Sequence, residues 1–237
     1  MSRININQIY QITKEHYDKA KNTLDSLKHS LIFERADAIS DTIPGYHAEY
    51  LEFGSFAKDN FAVLFVDMRN STNRAQQLGP EKTFLTMHAF IPALLEVIKS
   101  YDGKVVDIMG DGIMVFFGGK SSALSKVIAA QNAGLCGRDM LRVREKVINP
   151  ILEGDGINRG VDIGVGVTYG DVIVTKIGIQ EFFDVKAYGD CVNKASKYSN
   201  GYNQVKVSKQ VKEMWPSSEG GKISFSSTSD GEYYILL

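Results

Sequence analysis

The chain has 237 residues, 43% hydrophobic and 23% charged, with a net charge of -1. That length and balance fit one large globular domain, or one domain with an arm, and the near-neutral charge gives no reason to expect nucleic acid or an anionic membrane as partner. Two cysteines, Cys136 and Cys191, argue for reduced thiols in a cytoplasmic protein rather than a disulfide framework. The N-terminus is not of signal type, and no apolar run is long enough to span a bilayer, so direct membrane insertion is not expected.

From about Asn7 to Ile32 the pattern predicts a helix. Tyr10, Tyr17, Ala20, Leu24, Leu27 and Leu31 fall on one stripe, with Lys14, Glu15, Lys21 and Asp25 off it. Such a stripe suits a core-facing or dimer-packing helix, or a short signal-transmitting coiled coil. The connection Phe33–Phe56 carries the turn signal Pro44-Gly45 and four aromatics, Tyr46, Tyr50, Phe53 and Phe56. These either line a pocket for a flat ring or cover one end of a sheet.

The segment Phe61–Thr72, FAVLFVDMRNST, is an apolar strand ending on Asp67, then a polar turn in which Asn70, Ser71 and Thr72 could cap a helix. A carboxylate there can hold a hard cation while free N–H groups face a polyphosphate; a merely capped turn has the same look. Pro80-Glu81 is expected to start a helix with Phe84, Met87, His88, Ile91, Leu94, Leu95 and Ile98 on its buried face and a kink at Pro92. Gly103–Gly119 reads as a hairpin with Asp111 at its tip and with Asp107 and Met109 on one face of its first strand.

A second long helix is expected over Ser121–Val147, weakened by Gly134 and Gly137. A hairpin should follow, Val161–Val167 returning as Val172–Lys176 through a turn at Tyr169-Gly170-Asp171. Gly178–Val185 should project, with Phe182 and Phe183 as a partner surface. In Ala187–Asn200 a helix starts at Gly189-Asp190 and carries Asn193 and Lys197 on one face. A strand at Val205–Ser208, a short helix at Lys209–Met214 and a closing strand at Tyr233–Leu237 complete the chain. This order suits an α+β sandwich of ferredoxin-like kind, with helices on one face of a largely antiparallel sheet.

Three stretches, FVDMRNST, VVDIMGDGIMVFF and VKAYGDCVNKAS, resemble in order and spacing the signatures of class III nucleotidyl cyclases. The resemblance covers about Phe61 to Ser208. It implies a catalytic domain at 57–237, preceded by an N-terminal helix and connecting segment at 1–56, and a head-to-tail homodimer with composite active sites. It implies that Asp67, Asp111 and the backbone carbonyl of Met68 hold two Mn²⁺ or Mg²⁺ ions per site. The turn made by Met68, Arg69, Asn70, Ser71 and Thr72 would hold the terminal phosphates of a nucleoside triphosphate. Asn193 would orient the ribose, and Lys197 stands where the family usually has an arginine.

The two base-contacting positions align with Asp107 and Lys186, which match neither the adenine nor the guanine combination. Asp107 can accept from a ring N–H or an exocyclic amino group, and Lys186 can donate to a carbonyl. The alternative is that the two simply pair with each other across the subunit interface. With Tyr50 as a candidate cover for a small base, the combination is similar to the pyrimidine cyclases of bacterial anti-phage (Pycsar-type) systems. Their product acts on a separate effector protein, and cyclic UMP is the commoner product. UTP is therefore the expected substrate, with CTP, ATP or a catalytically idle nucleotide sensor as alternatives. Asp162 occupies a position where the family often has a phosphate-binding arginine; Arg69, Lys176 and Arg159 are the candidate substitutes. Cys191 is expected to be a packing residue.

Overall fold

The computed structural model describes residues 2–26, 42–216, 223–228 and 231–237. In chain order the elements are α1 (Ile6–Ser26), β1 (Thr42–Ile43), β2 (Tyr46–His47), a 3-10 turn (Ala48–Tyr50), β3 (Phe56–Met68) and α2 (Ser71–Ser100). Then come β4 (Lys104–Met109), β5 (Gly112–Gly118), α3 (Lys126–Val143), a π-helical turn (Arg144–Ile148) and α4 (Asn149–Gly154). The chain closes with β6 (Ile163–Ile179), β7 (Phe182–Tyr188), α5 (Asp190–Tyr198), β8 (Gln204–Val207), α6 (Lys209–Glu213), β9 (Phe225–Ser227) and β10 (Tyr234–Leu236). The part of the expected first helix beyond Ser26, with Leu27 and Leu31, lies outside the described residues.

One sheet organises the molecule, in the order β4-β5-β3-β6-β8-β10-β9, with β7 also paired to β6. All its pairings are antiparallel except β6 with β8. The alternation of β3 divides the core. Ala62, Leu64, Val66 and Met68 join α2 and α3 residues such as Phe90, Leu94, Ala133 and Met140. Phe61 and Val63 join Cys191 and Ala195 of α5 on the opposite face. One helix therefore covers the second face, where the order of elements suggested that all helices would share one.

Asp67 has the parity of Phe61, Val63 and Phe65, so it points toward the α5 face. Met68 has the other parity and buries its side chain, leaving only its main chain for any ligand.

Several expected boundaries move for physical reasons. Helix α2 starts at Ser71, breaks at Gly79 (φ 76°, ψ 173°) and restarts at Pro80, while Pro92 keeps helical dihedrals. Its fully buried stripe is Thr86, Ala89, Phe90, Ala93, Leu94, Val97 and Ile98, and Phe84 is exposed. In α3, Val127 and Ile128 are exposed and the buried face is built from alanines, Cys136 and Met140. Gly134 and Gly137 serve that face: a Cβ on them would meet Trp215 at 2.6 Å and Val165 at 2.9 Å, so they let the helix lie close to the sheet.

The expected turn at Tyr169-Gly170-Asp171 does not form. β6 runs straight through it and pairs with the whole of β3, from Phe56↔Thr175 to Met68↔Ile163. Its glycines face α5 instead. A Cβ on Gly164 or Gly166 would strike the main chain of Ser199 or Ala195, and one on Gly170 would touch Cys191 at 3.1 Å.

The N-terminal helix packs against α2, burying Ile9 and Tyr17 in the main core. Ser2 donates to Asp139 at 2.7 Å, and Tyr101 donates to the same carboxylate at 2.6 Å. Among the described residues no helix is long and apolar enough to cross a membrane.

Candidate active site

Two groups of side chains hold the site residues expected from the sequence. The first begins where β3 ends. Val66 pairs with Ile113, so the next residue, Asp67, stands beside the start of β5 and the hairpin tip that carries Asp111. Arg69 reaches back to Asp67, Nη2 to Oδ2 2.5 Å. Burial, then the charge of Asp111, push the Asp67 carboxyl above the usual range, while Arg69 opposes them. Asp111 Oδ2 is buried with no hydrogen-bond partner.

Two acids repelling each other, one with an orphaned buried oxygen, are what a divalent cation resolves. The residues therefore fit a metal. No third His, Cys, Asp or Glu joins them among the described residues, so a cation held here completes its shell with main-chain oxygen, water or phosphate. That is the habit of magnesium.

The turn beside them is shaped for anions. Asn70 sits in the left-handed region (φ 56°, ψ 29°) and makes no side-chain cap, contrary to its expected capping role. The first bond into α2 is Arg74 N–H to Asn70 O at 2.9 Å. The N–H groups of Asn70, Ser71 and Thr72 precede it and carry the positive end of the helix.

A groove of about 640 Å³ runs from Phe65, Asp67 and Arg69 to Lys197 and Tyr233. Lys197 is exposed, as is Asn193 one turn earlier. Neither side chain has a hydrogen bond or ion pair among the described residues.

The second group sits on β4 and β7. A bulge between Val105 and Asp107 brings Asp107 opposite Met114. Lys186 Nζ lies 3.5 Å from Asp107 Oδ2 and 2.7 Å from Asp184 Oδ2. The Asp107–Lys186 pair thus closes within one chain, where the alternative to base contact was a pair across the subunit interface. Tyr50 is 81% exposed; it lines a groove of about 490 Å³ with His47, Glu49, Phe183 and Asp184. The two groups share no hydrogen bond or ion pair within the described residues.

The candidate substitutes for a strand arginine are all engaged: Arg69 with Asp67, Arg159 with Gln77, and Lys176 with Ala48 O and the rings of Phe53 and Phe183. Sequence reasoning missed Arg144, which donates to Asp162 at 3.0 Å. It lies in the π-helical turn, and no local signal marked it. It also missed Asp184, two residues before Lys186 and on the same side of its strand; that spacing was the available signal. Cys191 is buried beside Asp171 O, and burial pushes its thiol up to about 11, as suits a packing residue.

Residues 55–235 match the family model described as the adenylate and guanylate cyclase catalytic domain. A cytidylate cyclase of Staphylococcus aureus is 25% identical over 83% of this chain and 48% of its own length. A uridylate cyclase of Gulbenkiania mobilis is 29% identical over 76% of this chain and 69% of its own. The chain thus spans about half of the first of these relatives. Among solved structures, the adenylyl cyclase CyaB from P. aeruginosa superposes with a TM-score of 0.67 at 21% identity, covering 77% of this chain and 96% of that one.

Proposed function

Since the chain belongs to the family of adenylate and guanylate cyclase catalytic domains, we propose that it is a pyrimidine nucleotide cyclase, converting UTP to 3′,5′-cyclic UMP and pyrophosphate. The observation that carries the pyrimidine reading is the acceptor Asp107 set beside the donor Lys186 at 3.5 Å. Ionised Asp107 only accepts and Lys186 only donates. Uracil, with an N3–H next to a carbonyl, satisfies both. Cytosine, with an amino group next to a ring acceptor, is the second reading, and the name of the Staphylococcus aureus relative favours it. The name of the Gulbenkiania mobilis relative, at 29% identity, supports uridine.

In this reading Asp67, Asp111 and the Met68 carbonyl hold Mn²⁺ or Mg²⁺. Bound there, the ions supply acidification of the ribose 3′-hydroxyl and neutralisation of phosphate charge. The protein's own part is positioning and fixed charge. The N–H groups of Asn70, Ser71 and Thr72 hold the terminal phosphates, with Arg69 keeping Asp67 oriented. Asn193 orients the ribose. Lys197 places a point charge by the reacting phosphate, without the planar fork of arginine. The 3′-hydroxyl gives up its proton to water as its oxygen bonds to the α-phosphorus, the bond from that phosphorus to the β-phosphate oxygen breaks, and pyrophosphate leaves.

Asn193 and Lys197 lie exposed and unpartnered among the described residues. That supports a head-to-tail homodimer in which they serve a partner's Asp67 and Asp111. The proposed biological role is second-messenger synthesis in anti-phage defence, read by a separate effector; it rests on the likeness to the Pycsar-type cyclases.

The test is incubation of purified protein with each of the four nucleoside triphosphates and Mn²⁺, with products read by mass spectrometry. Cyclic UMP is the expected main product. Cyclic AMP as the main product, or no product from any of the four, refutes the proposal.

A further inference from the structure

We propose that Asp184 is a positioning residue for base recognition, holding the Lys186 ammonium so that Asp107 stays open as a hydrogen-bond acceptor. This rests on the reading that Asp107 and Lys186 meet the base.

The geometry is asymmetric. Lys186 Nζ is 2.7 Å from Asp184 but 3.5 Å from Asp107, so the tight ion pair is the one within β7 and the looser one faces β4. Asp184 and Lys186 are two apart on one strand, and the ladder pairs them with Ile177 and Thr175 of β6, which fixes their spacing. Asp107 is the least exposed of the three, at 24% against 38% for Asp184 and 41% for Lys186. A lysine with only Asp107 for company would close on it and cancel the acceptor. With Asp184 competing, one lysine serves two carboxylates, and the trio keeps an unspent negative charge for a donor on the base. The hydrogen bond that Lys186 donates to Asp184 is also the first cause of the upward shift of the Lys186 ammonium, ahead of the charge of Asp107. Asp184 further borders the groove that Tyr50 lines, so it joins the polar pair to the aromatic cover.

The experiment uses 3′-deoxy analogues of the four triphosphates, which lack the nucleophile and so report binding without turnover. Calorimetry with Mn²⁺ present measures their affinities for wild type, Asp184→Asn and Asp184→Glu. Asp184→Asn is expected to weaken the preferred analogue about 10-fold, in keeping with a lost charge-assisted hydrogen bond at a recognition site, and to flatten the ranking among bases. Asp184→Glu, which keeps the charge, should restore most of the ranking. An unchanged ranking in Asp184→Asn, or a uniform loss for all four analogues that Asp184→Glu does not restore, overturns the proposal. Failure of the parent reading shows separately, as absence of cyclic UMP from wild type and UTP. The side chain is partly exposed on a hairpin, so both variants are expected to melt with wild type; a lowered Tm with unchanged ranking also counts against the positioning role.

Discussion

Substitution of Gly166 by alanine tests how the sheet seats the helix that carries Asn193 and Lys197. Gly166 pairs with Phe65 of β3 and Lys206 of β8, and its backbone does not need glycine's conformational freedom. Its added methyl would overlap the Ala195 carbonyl oxygen and approach Tyr198 Cβ at 2.8 Å and Ser199 N at 2.9 Å, inside the 3.0 Å that real Cβ contacts keep. The struck atoms are mostly backbone, so the helix must retreat, by about 1 Å at its C-terminal half, where overpacking of this kind costs roughly 1–3 kcal/mol. A chain of this size should lose roughly 2–12 °C in Tm. A displacement of about 1 Å in a positioning element should lower turnover about 100-fold. Thermal melts by circular dichroism and cyclic-nucleotide formation by mass spectrometry measure the two effects. Gly154→Ala, whose methyl meets nothing within 4 Å, is the control and should match wild type. Wild-type melting and turnover in Gly166→Ala would refute the claim that close helix seating positions the site.

Other expectations follow from the same geometry. Mixing an Asp111→Ala chain with an Asn193→Ala chain should restore one competent site per heterodimer; no recovery over either variant alone contradicts composite sites. Lys197→Ala should lower turnover about 100-fold or more, as for loss of a preorganised charge, while Lys197→Arg should keep or raise it; wild-type turnover in Lys197→Ala removes the residue from the chemistry. Burial raises the Cys191 thiol to about 11 and pushes Cys136 up as well, so at pH 8 both stay protonated in the folded protein. Ellman's reagent should label them only as the chain unfolds, and fast stoichiometric labelling of native protein contradicts that burial.

Some features were legible from the sequence because they depend on local chemistry. The apolar run before Asp67, the glycine-bearing turn at Asp111 and the helix after Gly189 each carry their own signal, and the structure has β3, the β4–β5 hairpin and α5 there. The aromatics Phe182 and Phe183 stand exposed at the tip of the β6–β7 arm, as expected of a projecting segment.

What failed to show was tertiary. Tyr169-Gly170-Asp171 has turn composition, yet its glycine answers to Cys191 packed above it, and β6 stays straight because β3 pairs along its whole length. Gly134 and Gly137 look like helix weakeners until Trp215 and Val165 come close. The hydrophobic pattern of α2 suggested a face including Phe84, while packing buried the smaller residues Ala89 and Ala93. Arg144 meets Asp162 from 18 positions away, an ion pair with no periodic signature.

Turnover of UTP by wild type and by Asp111→Asn, side by side with saturating Mn²⁺, bears most directly on the claim that the carboxylates at the β3 end and the hairpin tip hold the catalytic ions. Cyclic UMP from the first and none from a folded second is the expected result. Equal cyclic UMP from both contradicts it.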